Sequence, residues 1–205
     1  MRTVNPAQRA AKRKALLDAA AVCFAERGYE ATRTADICAA VGMSSGNLFH
    51  YFRSKHEVLL ALVERDGAET AASVAELALA DDPFAALLAF LEEVCALAAD
   101  PVFAGLALEV AAQAHRDEDV ATRFKANDRS FRDGLAALVR AADEAGQLRT
   151  PLTADAAATW LAALVDGVFA RVAADPQFQP RAQAPVLRRM VTALLREEHP
   201  EGEAP

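Results

Sequence analysis

The sequence predicts an all-α fold of about nine helices, and three observations predict it. The 205 residues are rich in alanine and poor in β-branched runs, so helix is preferred over most of the length. Start signals recur: Ser54 before Glu57, Asp82 before Pro83, Asp100 before Pro101 and Thr153 before an alanine run. Between these signals apolar residues return every three or four positions, and no segment reads as a strand.

Taken in order, a first helix is expected near Arg9–Arg27. A second, Arg33–Val41, buries Ile37 and Val41 at i, i+4 and stops before Gly42, which supplies a left-handed exit. Met43 plugs the turn with an apolar side chain, and Ser44 is placed to cap a third helix, Ser44–Phe52, by accepting a hydrogen bond from its free N–H groups. Two helices joined by so short a turn make a helix-turn-helix. Within the third helix Leu48, Tyr51 and Phe52 fall on the inner side, leaving Ser45, Gly46, Asn47, Phe49 and His50 outside. That outer face is short, polar and nearly uncharged, so it can enter a major groove, where Asn47 can pair with a base edge.

Ser54-Lys55-His56-Glu57 reads as a capping box opening a long helix to about Leu79, roughly 37 Å at the standard rise. Gly67 sits at mid-length, either as a bend or as a tolerated cost of about 1 kcal/mol. Further helices follow near Phe84–Ala99, Val102–Ala114 and Asp119–Ala145, the last stopped by Gly146. Thr153 caps another running through Trp160 to Ala174. A proline-containing loop, Pro176–Pro185, leads into a final helix ending near Glu198, and the tail HPEGEAP frays. No internal repeat is evident. The domain division expected is 1–54 for the helix-turn-helix and 55–205 for a helical bundle.

The chain carries a net charge of −7, which by itself would repel a polyanion. Its distribution reverses that reading. Residues 1 to 60 hold nine Lys/Arg against five Asp/Glu, whereas the remainder holds thirteen against twenty-four. The basic excess gathers at Arg9, Lys12, Arg13 and Lys14 and at Arg53 and Lys55, beside the motif. Cations placed there neutralise phosphates and release counterions, so binding should fall steeply with salt.

Other classes find little support. No stretch reads as long and apolar enough to span a membrane, and MRTVNPAQRAAKRKALLDAA lacks the apolar core of a signal peptide, so the expected location is the cytoplasm. Cys23, Cys38 and Cys95 are odd in number and far apart, which makes buried thiols the default and a redox sensor the minor reading. His50, His56, His115 and His199 form no local ligand pair, so no metal is expected. There is no nucleophile–base pair and no phosphate loop, hence no enzyme and no cofactor.

Over residues 9 to 62 the chain resembles the TetR (tetracycline-repressor) family of bacterial transcription regulators. The resemblance rests on Gly28-Tyr29, Thr32, Ile37, Gly42, Ser44, Gly46, Leu48, Phe49, Tyr51-Phe52 and Ser54-Lys55 at fixed spacing. It implies Ser45, Gly46 and Asn47 near bases, Tyr51 and Lys55 on phosphates, and His50 in either role. Two positions depart from the pattern. Arg33 stands where the family has Ser or Thr, so a charged phosphate contact replaces a hydroxyl one while Thr32 or Thr34 takes over the cap. Phe49 stands where the family has Tyr and offers no hydroxyl. The DNA-facing set is therefore Arg33, Thr34, Ser44, Ser45, Gly46, Asn47, Phe49, His50, Tyr51 and Lys55.

The resemblance also implies a small-molecule pocket in the second domain. Candidate walls are Phe84, Leu88, Leu91 and Cys95 from one helix and Phe103 and Leu106 from the next. Phe124, Phe131 and Trp160 add bulk, and Glu109, Gln113 and Asn127 are candidate polar groups. The last two helices carry broader apolar faces than one core needs. Trp160, Leu161, Leu164, Val168 and Val172, with Leu187, Met190, Val191 and Leu194, therefore suggest a second copy packed as a four-helix arrangement about a two-fold axis. The function expected is a homodimeric DNA-binding regulator, a repressor released from a palindromic duplex operator by an unidentified small-molecule effector. The alternative is a constitutive DNA-binding or protein-docking factor without an effector.

Overall fold

The computed structural model describes residues 6–196, apart from the side chain of Ser45. The predicted helix end near Glu198 and the tail HPEGEAP lie outside the described residues. Those residues form eight α-helices and one short 3-10 helix, with no strand. The order is α1 Pro6–Arg27, α2 Thr34–Ala40, the 3-10 helix Ser45–His50, α3 Lys55–Leu77, α4 Pro83–Ala98, α5 Pro101–Ala114, α6 Glu118–Glu144, α7 Ala154–Ala174 and α8 Pro180–Arg196.

Most boundaries follow from local chemistry. Asp82 accepts the Ala85 N–H at 2.9 Å, Thr153 Oγ1 accepts that of Ala156 at 3.2 Å, and Ser54 Oγ accepts that of Glu57 at 3.1 Å. Each satisfies a donor that a helix start would leave unpaired. Gly42 and Gly146 have φ of +65° and +69°, the left-handed exits at which a Cβ would be strained.

Three expectations are corrected. α8 begins at Pro180, earlier than the loop to Pro185 suggested, because Pro180 has a φ preset for a first turn and Pro185 costs the helix only one backbone bond. Gly67 is more than a passive cost. A Cβ there would lie 2.1 Å from Asn127 Cγ, so its bare backbone makes the notch that the Asn127 side chain fills. Finally, α7 has the length and composition to cross a membrane, contrary to the expectation that no stretch does. Its alanines raise hydropathy without bulk, and one side of it, including Ala157, Ala158, Leu161 and Val165, is buried in a core.

Packing divides the chain into two compact units. The first comprises Met1–Asp66, so far as described, with Pro101–Lys125; the second comprises Gly67–Asp100 with Ala126–Pro205, again so far as described. The first unit closes over Leu16, Leu17 and Phe24 of α1, Ile37 of α2, Leu48 and Phe52, Val58 and Leu62 of α3, Leu106 of α5 and Val120 of α6. Fully burying such a side chain contributes about 1.5–3 kcal/mol. The second unit has its own core, drawn from Val74, Phe84, Leu87, Leu91, Leu135, Leu138, Leu161, Val191 and Leu195.

Candidate nucleic-acid interface

The helix-turn-helix is seated by what its inner side buries. Leu48 is fully buried, Phe52 is 1% exposed, and Tyr51 is half-buried against the same core. Gly46, Asn47, Phe49 and His50 are exposed, the division expected from helical spacing. The conformation differs: Ser45–His50 is a 3-10 helix rather than part of an α-helix. Asn47 N–H bonds to Ser44 O at 2.9 Å and Tyr51 N–H to Leu48 O at 2.8 Å, both i to i+3. Ser44 occupies the N-cap position, but its carbonyl, not its hydroxyl, takes the first bond. A Cβ at Gly46 would meet nothing within 4 Å, so the backbone lies open to close approach. The Ser45 side chain lies outside the described residues.

The preceding helix is capped in a way the sequence did not suggest. Thr34 is its first residue, and neither Thr32 nor Thr34 caps it; instead the Asp36 carboxylate accepts the Arg33 N–H at 2.9 Å. The Arg33 guanidinium is exposed and lies 3.4 Å from the same carboxylate, and Arg27 lies at 3.7 Å. Thr32 is buried, its hydroxyl 3.0 Å from Cys23 O and 2.8 Å from Gly28 O; with one proton it serves either carbonyl in turn.

The backbone hydrogen bond from Arg33, then the charges of Arg33 and Arg27, hold the Asp36 carboxyl below its ordinary value. A depressed carboxylate stabilises the fold above its unfolded-state pKa and ceases to as pH falls through the folded one. Replacing Asp36 with Asn should therefore cost stability at neutral pH, and the difference from wild type should shrink below about pH 4. Urea denaturation across that range measures it.

The basic start of α1 lies beside the end of the 3-10 helix Ser45–His50. Arg9 donates to His50 O at 3.4 Å, and the Arg13 guanidinium stacks 4.9 Å from the Phe52 ring centre. Lys55, expected on a phosphate, has partners within the protein. Its ammonium donates to Tyr29 O at 2.6 Å, Thr32 O at 2.9 Å and Glu30 O at 3.3 Å, which occupies all three of its protons.

Glu109 and Gln113, expected in a pocket, belong to the first unit, where Glu109 Oε1 accepts both the Tyr29 N–H at 3.0 Å and Gln113 Nε2 at 2.9 Å. Leu106 is buried in that unit's core, while Phe103 and Phe124 are exposed. Phe84, Leu88, Leu91 and Cys95 are buried in the second unit with Phe131 against them, Asn127 fills the notch at Gly67, and Trp160 is 60% exposed. The pocket candidates are thus shared between two cores, because helical periodicity marks burial but not which core receives it. A groove of about 570 Å³ runs along α8 at Pro185, Arg188, Arg189, Thr192 and Ala193.

Of the interface candidates, Leu161, Val168, Leu187 and Val191 are spent inside the chain's own core. Trp160 and Met190 are exposed, Leu164, Val172 and Leu194 are half-buried, and Val186, on the apolar face of the same last helix, is 40% exposed. The three cysteines are buried and none is in a disulfide, and burial pushes the Cys23 and Cys95 thiols up.

His56, Asp117 and Asp119 converge with ligand-type atoms within 4.8 Å of one another, a grouping too far apart in sequence to be read there. Asp117 Oδ1 takes the Val120 N–H at 3.0 Å and so caps α6, while Oδ2 lies 2.9 Å from His56 Nε2.

Comparison with known proteins agrees with this architecture. Residues 16–62 match the family described as bacterial regulatory proteins, tetR family, and residues 83–196 match that described as BetI-type transcriptional repressor, C-terminal. The HTH-type transcriptional repressor Rv1474c of Mycobacterium tuberculosis is 31% identical over 82% of this chain and 87% of its own. The structure of Salmonella enterica GusR superposes with a TM-score of 0.74 at 26% identity, covering 95% of this chain and 99% of that one. A putative transcriptional regulator from Saccharomonospora viridis, solved in complex with choline, shares the fold with a TM-score of 0.78 at 23% identity, covering 92% and 100%.

Proposed function

Because this chain belongs to the TetR family of bacterial regulatory proteins, we propose that it represses transcription from a palindromic operator and releases it when a small molecule binds. The observation that carries the DNA-reading half is the exposed set Gly46, Asn47, Phe49 and His50, held over buried Leu48 and Phe52. Arg33 and the α1 cations bring charge to the phosphates, and Thr34, Ser44, Ser45 and Tyr51 complete the contact surface. Residues 1–54 act as the reading head and 55–205 as the effector and dimerisation part, working in the cytoplasm without enzymatic chemistry. Two copies joined through α7 and α8 would set the heads about 34–36 Å apart, one turn of the duplex. Effector binding is supported by the choline complex of a protein with the same fold. Release requires only that the effector prefer the form whose heads are badly spaced; about 1.4 kcal/mol of such preference lowers operator affinity tenfold.

The test begins with selection of a duplex from random sequence by the purified protein. Asn47→Ala should then lose about 1–3 kcal/mol of operator affinity while binding unrelated duplex as before, measured by fluorescence anisotropy. Failure of the wild type to enrich any symmetric sequence, even at low salt, would remove the proposal.

A further inference from the structure

The turn between α1 and α2 is gripped from two sides by opposite charges. Glu109 of α5 accepts the Tyr29 N–H at 3.0 Å, and Lys55 of α3 donates to the Tyr29 carbonyl at 2.6 Å. The same ammonium reaches Thr32 O and Glu30 O and lies 4.2 Å from the centre of the Tyr29 ring. Three protons meet three carbonyls and a π-face, so the charge of Lys55 is used within the protein. Gln113, 4% exposed, holds the Glu109 carboxylate from the next turn of α5 at 2.9 Å.

Close packing lets Glu109 reach. A Cβ on Gly105 would lie 2.9 Å from Ala25 O, so a bare backbone in α5 settles against the last turns of α1. Four residues further along the same face of α5, Glu109 then meets the turn. α2 springs from this turn at Arg33, and the reading helix Ser45–His50 follows α2 after Val41, Gly42, Met43 and Ser44.

Resting on the DNA-reading function proposed above, we infer that Lys55 and Glu109 are positioning residues for operator recognition, fixing the Tyr29 turn from within, and that Lys55 is not a phosphate ligand. They set where α2 and the reading helix stand, and neither needs to touch DNA to do so.

The test uses full-length protein and the operator selected by the wild type, so a wild type that selects nothing disposes of the DNA-reading proposal and not of this one. A lysine that neutralises a phosphate lowers the slope of log affinity against log salt by about one when removed. Lys55→Gln should leave that slope unchanged while operator affinity falls about tenfold and affinity for unrelated duplex holds within about twofold. Lys55→Arg should lose operator affinity too, since a planar fork cannot replace a point charge among three carbonyls, whereas a phosphate contact would tolerate it.

Glu109→Leu should speed hydrogen exchange at the Tyr29 amide about tenfold and lower the ratio of operator to unrelated-duplex affinity, with Glu109→Gln, which keeps the acceptor oxygen, restoring most of both. Should Lys55→Gln fail to fold, the operator affinity of Lys55→Arg alone decides the assignment of Lys55; should Glu109→Leu fail to fold, Glu109→Asp, one methylene too short to reach the Tyr29 N–H, takes its place. A slope reduced by about one in Lys55→Gln, or full operator binding by Lys55→Arg, overturns the assignment of Lys55. An unchanged affinity ratio in Glu109→Leu despite a freed Tyr29 amide overturns that of Glu109.

Discussion

Glutamate at both Trp160 and Met190 should leave the helical content of the chain intact, convert the protein to a particle of 21.8 kDa in sedimentation, and cut operator affinity by about a hundredfold or more. Trp160 is 60% exposed and Met190 52%, so the substitutions remove little that the chain packs for itself. At a two-fold interface each substitution appears twice, and four carboxylates would have to leave water, an unfavourable step for each. A lone head binding a single half-site then loses the gain that comes from tethering the second. Leu161→Glu is the informative contrast. Leu161 is fully buried in the second unit, so that variant should unfold rather than dissociate. A Trp160→Glu, Met190→Glu protein that still sediments at twice the chain mass would rule out α7 and α8 as the joining surface.

How far the sequence alone could be read depended on the range of the interaction. Caps at Ser54, Asp82 and Thr153 and the exits at Gly42 and Gly146 involve partners within a few residues, and they are legible because backbone sterics and one hydrogen bond decide them. Burial of Leu48 and Phe52 beneath an exposed Asn47 was legible from spacing, but the 3-10 form was not, since apolar periodicity over six residues cannot separate a tighter turn from an α-turn. The cap at Asp36 was missed because attention to hydroxyls at Thr32 and Thr34 overlooked a carboxylate three residues into the helix.

Long-range partners were out of reach. Glu109 with the Tyr29 N–H, Lys55 with three carbonyls, and His56 with Asp117 join segments that no local pattern relates. The stripes on α4 to α7 marked many buried positions but also Phe103, Phe124 and Trp160, which are exposed, and Leu106 and Leu91 serve different cores. On α7 and α8 the sequence showed more apolar surface than one core needs without showing which side chains were the surplus. Trp160, Val186 and Met190 are exposed, whereas Leu187 and Val191 are not.

Phe24→Ala should destabilise the reading head by about 3–5 kcal/mol, the range for deleting a buried aromatic ring. Phe24 is fully buried in the first unit's core, and its ring centre lies 5.4 Å from that of Tyr29 at a tilt of 58°. Deleting the ring opens a void among side chains held rigidly by α2, α3 and the reading helix, so little collapse can offset the lost contacts. Typical domains have only about 5–15 kcal/mol in reserve, so the loss is large enough to leave a measurable fraction of heads unfolded at the temperature of growth. Urea titration gives the stability change directly. If Tyr29 positions the reading helix, operator affinity should fall by more than the unfolded fraction explains, because the Phe24 ring also supports that tyrosine. A Phe24→Ala protein that loses stability by this amount yet binds operator in strict proportion to its folded fraction would show that the ring matters to the core alone.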